Sequence, residues 1–120
     1  MRYIGQKHSH DCGVACVAMI SRKSYKVAKE AIFGNEPADY TDKDELTKAL
    51  KKLGREPTSK LIPFNGKDFR KLETVALIKA NVQKNGNWHW VVWDGKRILD
   101  PRRKGYDGNR LKTVSYLVVK

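Results

Sequence analysis

A chain of 120 residues, 40% of them hydrophobic, is enough for one domain with one modest core. Lys and Arg number 25 against 13 Asp and Glu, a net charge of +12, so acidic partners, nucleic acid among them, have to be weighed. No run of about 18 apolar residues exists to cross a membrane, and the opening MRYIGQKHSH lacks the apolar centre of a secretory signal, so we expect a soluble protein of the cytoplasm, and a monomer.

The first informative stretch is QKHSHDCGVAC, Gln6 to Cys16, which holds His8, His10 and both cysteines of the chain. Two His and two Cys form a ligand set that zinc accepts, but the spacing H-x-H-x-C-x3-C matches no common zinc pattern. From Cys12 onward CGVACVAMISR reads as a helix buried on most sides, with Asp11 at its N-cap. Gly13 in the first turn leaves room beside residue 12. Cys16 is then a small core residue and His8 and His10 belong to an exposed loop, so we assign neither metal nor cofactor. Two cysteines four apart on one helix have Cβ atoms about 5–6 Å apart, wider than the roughly 3.5–4.5 Å of a disulfide. They read as free thiols of a reducing compartment.

Further helices are expected over SYKVAKEAIF, ended by Gly34, and over DKDELTKALKKL, capped by Thr41 and stopped by Gly54. Leu46, Ala49, Leu50 and Leu53 form the buried stripe of the latter, and GKDFRKLE adds a short helical turn. The second half reads as strands: TVALIKANV, WHWVVW, KRILD and TVSYLVVK. Helices first and strands afterwards predict an α+β domain, residues 1–120, with an antiparallel sheet. The basic residues are scattered over helix faces and loops (SRKSYKVAKE, KALKKLGRE, KDFRK, DPRRKG) with no nucleic-acid-binding motif. A solvated basic surface is favoured over nucleic-acid recognition, which stays open.

WHWVVWDGKRILDP carries the clearest local signal. Asp94-Gly95 between two apolar runs predicts a two-residue type I′ turn. That turn would oppose Trp93 to Lys96 and, four steps on, His89 to Asp100. Directly opposed residues share a face with Cβ atoms about 4.5–5.5 Å apart, so the imidazole and the carboxylate come within hydrogen-bonding reach. The bland reading is a core histidine satisfied by its carboxylate. What shifts the balance is Cys12, because a thiol becomes nucleophilic at a helix N-terminus or beside an imidazolium. Cys12 as nucleophile, His89 as base and Asp100 as the group that orients the ring make one constellation. Gln6 adds a side-chain amide that would donate to an oxyanion together with the Cys12 backbone N–H.

The segments Q…DCGVACVAMI and HWVVWDGKRILDP resemble the bacteriocin-processing, double-glycine-leader peptidases, a papain-like cysteine peptidase family. The matching positions are Gln6, Asp11, Cys12, Gly13, Ala15, Cys16, His89, Val91, Val92, Asp100 and Pro101. The resemblance implies a papain-like fold with Cys12 on the central helix and His89 and Asp100 on the sheet across a cleft. It also implies a peptide or protein substrate cut after a small pair such as Gly-Gly, which needs a narrow cleft whose candidate walls are Trp88, Trp90 and Trp93. Family members are often fused to an exporter; this chain would be a standalone peptidase beside a separate exporter, or a domain cut from a larger protein. Other acyl transfers through a thioester, such as deamidation or isopeptide cleavage, share the triad, and a domain that binds peptide without cutting it is a further alternative.

Overall fold

The computed structural model describes all residues, 1–120. The helix α1 spans Cys12–Ser21 and all ten of its residues are buried. A helix apolar on every side can only sit inside a core. Its C-terminus is closed by Arg22 in the left-handed region, φ 57°, and by the Arg55 guanidinium, whose Nε and Nη2 donate to the Ile20 carbonyl at 3.0 and 2.7 Å. A cation on the last carbonyls satisfies acceptors that the helix itself leaves open. The helix α2, Tyr25–Phe33, starts at Ser24, whose hydroxyl accepts from the Val27 N–H, and ends at Gly34.

The third helix, α3, spans Lys43–Lys52. Its cap is Asp42 rather than the expected Thr41: Asp42 and Glu45 form a reciprocal capping box, and Thr41 is buried one residue outside it. A carboxylate with Glu three residues on satisfies two N–H groups at once, which the threonine one step earlier cannot do in that register. Leu46, Ala49 and Leu50 are fully buried and Leu53 packs partly against them. A short 3-10 turn, Phe69–Lys71, occupies the stretch expected to add a helical turn.

Five strands form one antiparallel sheet: β1 (Ile62–Pro63), β2 (Ala76–Ala80), β3 (His89–Trp93), β4 (Ile98–Leu99) and β5 (Thr113–Val118), in the order β1-β5-β2-β3-β4. The two-residue β1 has no counterpart in the sequence reading; a strand that short carries no alternation to detect. Alternate residues divide cleanly between two cores. Leu77, Trp90, Val92 and Leu117 pack with the helices, whereas Ile78, Val91, Trp93 and Tyr116 pack with Phe64, Phe69 and Leu72 from the stretch between α3 and β2. All five residues of β3 are buried, as expected for a strand apolar on both faces. No helix is long and apolar enough to cross a membrane.

The β3–β4 hairpin departs from its expected register. Trp93 pairs with Ile98 and Val92 with Leu99, a shift of two residues. The turn centres on Gly95-Lys96: Asp94 N–H donates to Arg97 O at 3.1 Å, and the Asp94 carboxylate accepts from the Lys96 and Arg97 N–H groups, each at 2.8 Å. Of the two central residues only Gly95 has positive φ, +100°, which rules out the I′ turn, since that form needs it at both. The aspartate is worth more as an acceptor just outside the turn than as its first residue. Because side chains in a strand alternate with period two, a shift of two keeps Asp100 on the side expected of it.

Candidate active site

The N-terminus of α1 points at the His89 end of β3. Trp90 N–H donates to Cys12 Sγ at 3.4 Å, which fixes the thiol against the strand. His89 Nε2 and Asp100 Oδ1 are 2.6 Å apart, both residues being buried, at 4% and 5% exposure. Thus the hydrogen bond expected from the hairpin forms, although the two residues are diagonal rather than directly opposed. Diagonal neighbours stand about 7–8 Å apart at the backbone, still within reach of a ring and a carboxylate.

Asp100 is itself held in place. Its Oδ1 accepts from Arg102 N–H at 2.9 Å and its main-chain carbonyl from the Tyr3 hydroxyl at 2.7 Å. With Nε2 committed to the carboxylate, Nδ1 of His89 is buried and has no hydrogen-bond partner. Burial pulls the imidazole pKa down, but the Asp100 hydrogen bond, and after it the Cys12 side chain, outweigh this and raise it to about 9. At neutral pH His89 therefore carries a proton beside Cys12.

Cys12 lines a cavity of about 210 Å³ together with His10, Tyr40, Thr41, Trp88 and Trp90, among others. Trp88 and Trp90 meet edge to face at 6.1 Å and form its wall, with Trp90 Nε1 donating to Thr41 O at 3.1 Å. Trp93 does not belong here. Its ring lies on the opposite core against Phe69 and its Nε1 donates to Leu72 O at 2.7 Å, because strand alternation sends residues 90 and 93 to opposite faces.

Two further expectations change, for Asp11 and Gly13, while Gln6 keeps a free donor. Asp11 stands at the N-cap position of α1, yet its side chain makes no capping bond. Instead its carboxylate accepts from Lys7 N–H and His8 N–H, each at 2.9 Å, and from the Tyr25 hydroxyl at 2.6 Å. Burial would raise its pKa, but these hydrogen bonds, that of Tyr25 first, lower it on balance. Asp11 thus ties the loop that precedes Cys12 to α2. Gly13 does not leave space beside Cys12: a Cβ there would come 2.0 Å from Thr41 Oγ1 and 3.1 Å from Leu46 Cδ2. It is a point of contact between α1 and the start of α3. Gln6 donates from Nε2 to His8 O at 2.6 Å, which leaves one N–H of the amide uncommitted, and its backbone N–H donates to Pro101 O at 3.0 Å.

Sequence reasoning missed Thr41 and Tyr3. Tyr3 and Asp100 are 97 residues apart and nothing in their local pattern joins them. Of the histidines near the cysteines, His8 is exposed and His10 has its Nε2 3.1 Å from Ala38 O. Cys16, fully buried, has its pKa pushed well up by burial. His8, His10, Cys12 and Cys16 do not converge on one point that a metal ion could occupy.

The sequence model of the Peptidase C39 family matches residues 1–105. Among solved structures the chain is similar to a double glycine motif protease from an AMS/PCAT transporter in complex with the leader peptide, at a TM-score of 0.72 and 19% identity over 99% of this chain and 90% of that one. No curated protein matches.

Proposed function

The chain belongs to the Peptidase C39 family, and on that premise, which makes it a cysteine-type peptidase with a papain-like α+β fold, we propose that Cys12, His89 and Asp100 carry the hydrolysis. The observation that supports this most is the His89–Asp100 bond of 2.6 Å, which leaves the buried Nδ1 without another partner beside the Cys12 thiol.

Cys12, its proton held on His89, attacks the scissile carbonyl carbon through Sγ. The oxyanion is received by the Cys12 backbone N–H at the start of α1 and by the free N–H of Gln6 Nε2. Collapse breaks the C–N bond as His89 gives its proton to the leaving amine, and a thioester on Cys12 remains. Water then attacks the thioester, His89 takes its proton, and the acid leaves with the thiol restored. Throughout, Asp100 holds the ring so that Nδ1, not Nε2, faces the reaction.

Peptides cut after small residues such as Gly-Gly fit the small volume between Trp88, Trp90 and Thr41. On the same reading residues 1–120 act as one peptidase domain that removes a leader in the cytoplasm before an exporter carries the product. A proteome-derived peptide library incubated with wild type and with Cys12→Ala and read by mass spectrometry tests this. Cleavage after small residues by wild type alone is expected; a Cys12→Ala protein that still cuts would refute it.

A further inference from the structure

The excess of positive charge is not spent within the fold. Of the 25 Lys and Arg residues, only Lys43, Arg70 and Arg97 have a carboxylate within ion-pairing distance. Three of the unpaired ones, Lys7, Lys26 and Lys29, line a single groove of about 580 Å³ with Tyr25, His8 and His10, and no carboxylate lines it. Asp11, which holds Lys7, His8 and Tyr25 of this lining, is fully buried and already accepts three hydrogen bonds.

Two of these ammonium groups are held in position. Lys7 Nζ lies 4.7 Å over the Tyr25 ring, whose hydroxyl is anchored to Asp11, and Lys29 Nζ donates to Gly34 O at 3.0 Å. Cation–π contact and a carbonyl bond orient a lysine without neutralising it. The groove also leads to the chemistry: His10 lines both it and the cavity that contains Cys12. Around the other side, Gln6 N–H donates to Pro101 O, so that Lys7 and the exposed Arg102 flank one backbone contact.

From this continuity we infer that the groove of Lys7, Lys26 and Lys29 binds an acidic segment of the peptide whose scissile bond lies at Cys12. The inference rests on the peptidase reading above and adds a substrate class to it. Nucleic acid suits the groove less well. Tyr25 is the one large aromatic that lines it and its hydroxyl is engaged, whereas single strands are held by successive stacking rings.

The full chain carrying Cys12→Ala, titrated with fluorescein-labelled octaglutamate and octaglutamine and read by anisotropy, tests the groove apart from turnover. Octaglutamate should bind about tenfold more tightly, the margin of a few unscreened charge contacts, and lose that margin near about 0.5 M salt. Lys7→Ala, Lys26→Ala and Lys29→Ala combined should abolish the preference, and Lys48→Ala, Lys67→Ala and Lys84→Ala combined, with the same loss of charge elsewhere, should keep it. Equal binding of the two peptides, or equal loss in both triple variants, would overturn the inference. So would an octauridylate that binds through the same three lysines more tightly than octaglutamate.

Wild type is then given a Gly-Gly peptide extended by Glu or by Gln on either side. A higher kcat/KM for the Glu extension on either side supports the inference, and cleavage indifferent to both extensions counts against it. If wild type cuts none of them while the lysine-dependent octaglutamate binding persists, the peptidase reading fails and the groove stands.

Discussion

Cys12 and Cys16 lie one turn apart on the same helix, and their surroundings could hardly differ more. Cys16 is fully buried within the core cluster, and burial first of all pushes its pKa well up. Cys12 opens onto a cavity, accepts a hydrogen bond from the Trp90 N–H, and sits beside an imidazole that holds its proton to about pH 9. The difference does not come from the helix, which is the same helix, but from what its first turn meets. The end of β3 supplies His89, β4 leads into Asp100, and the loop before α1 supplies Gln6. On the proposed reading a reactive position is made where an element ends against others, and a turn further in the same side chain is packing.

The widest separation should appear in turnover. Cys12→Ala and His89→Ala should each lower kcat/KM for a cleaved peptide by at least about 10³-fold, since each removes a partner in every proton or acyl transfer. Cys16→Ala should leave turnover close to wild type. Asp100→Asn and Gln6→Ala fall between, each about 10²-fold, the first by misorienting the ring and the second by removing one oxyanion donor. Circular dichroism of each variant establishes that it is folded. A Cys16→Ala protein as inactive as Cys12→Ala would erase the contrast.

A second way to break the comparison is alkylation. Iodoacetamide at neutral pH should modify Cys12 and leave Cys16 unlabelled while the chain is folded, and peptide mapping reads the two sites separately. Labelling at equal, slow rates would mean that the first turn of α1 confers no special reactivity.

The pH dependence sharpens the same point from the histidine side. In the folded chain the His89 pKa stands at about 9, against 6.5 for the free residue. A group whose pKa is raised on folding stabilises the fold fully below its unfolded pKa and loses that contribution as pH rises through the folded one. Thermal midpoints should therefore fall between about pH 6.5 and 9 in wild type, and less so in Asp100→Asn, which lacks the carboxylate that holds the proton on. Turnover should decline above about pH 9, where His89 no longer has a proton to give the leaving amine. A wild-type midpoint flat across this window would dissolve the buried ion pair as a source of stability.

Much of this contrast could be read from residue order. Hydrophobic period, with Gly34 and Gly54 as stops, placed α1, α2 and α3 and four of the five strands, because ten-residue apolar or amphipathic segments and short apolar runs are strong local patterns. The His89–Asp100 pair was legible even though the turn was misplaced, since the error was two residues and a strand repeats every two. What remained hidden depends on long-range approach. The buried side chain of Asp11 serves three donors from a loop and another helix, where proximity to α1 suggested a cap. Asp42 prevailed over Thr41 as a cap because the partner Glu45 is in register with it alone. Trp93 was separable from Trp90 by parity, but which face would meet Cys12 depends on the packing of α1 on the sheet.

Gly13 marks the boundary between the two turns, and its substitution gives the smallest and most local test. Beyond Cys12 the helix presses against the start of α3 so closely that a Cβ at residue 13 would stand 2.0 Å from Thr41 Oγ1. Gly13→Ala should gain some helix propensity in isolation, yet overpacking costs about 1–3 kcal/mol and should win. Removing the offending oxygen should recover part of that loss, so Gly13→Ala with Thr41→Ala should be more stable than the sum of the single effects, the signature of two residues in direct contact. Denaturant unfolding of the four proteins measures this. Strict additivity would mean that the approach of α1 to Thr41 relaxes freely, and that the wall of the Cys12 cavity on that side is not held by Gly13.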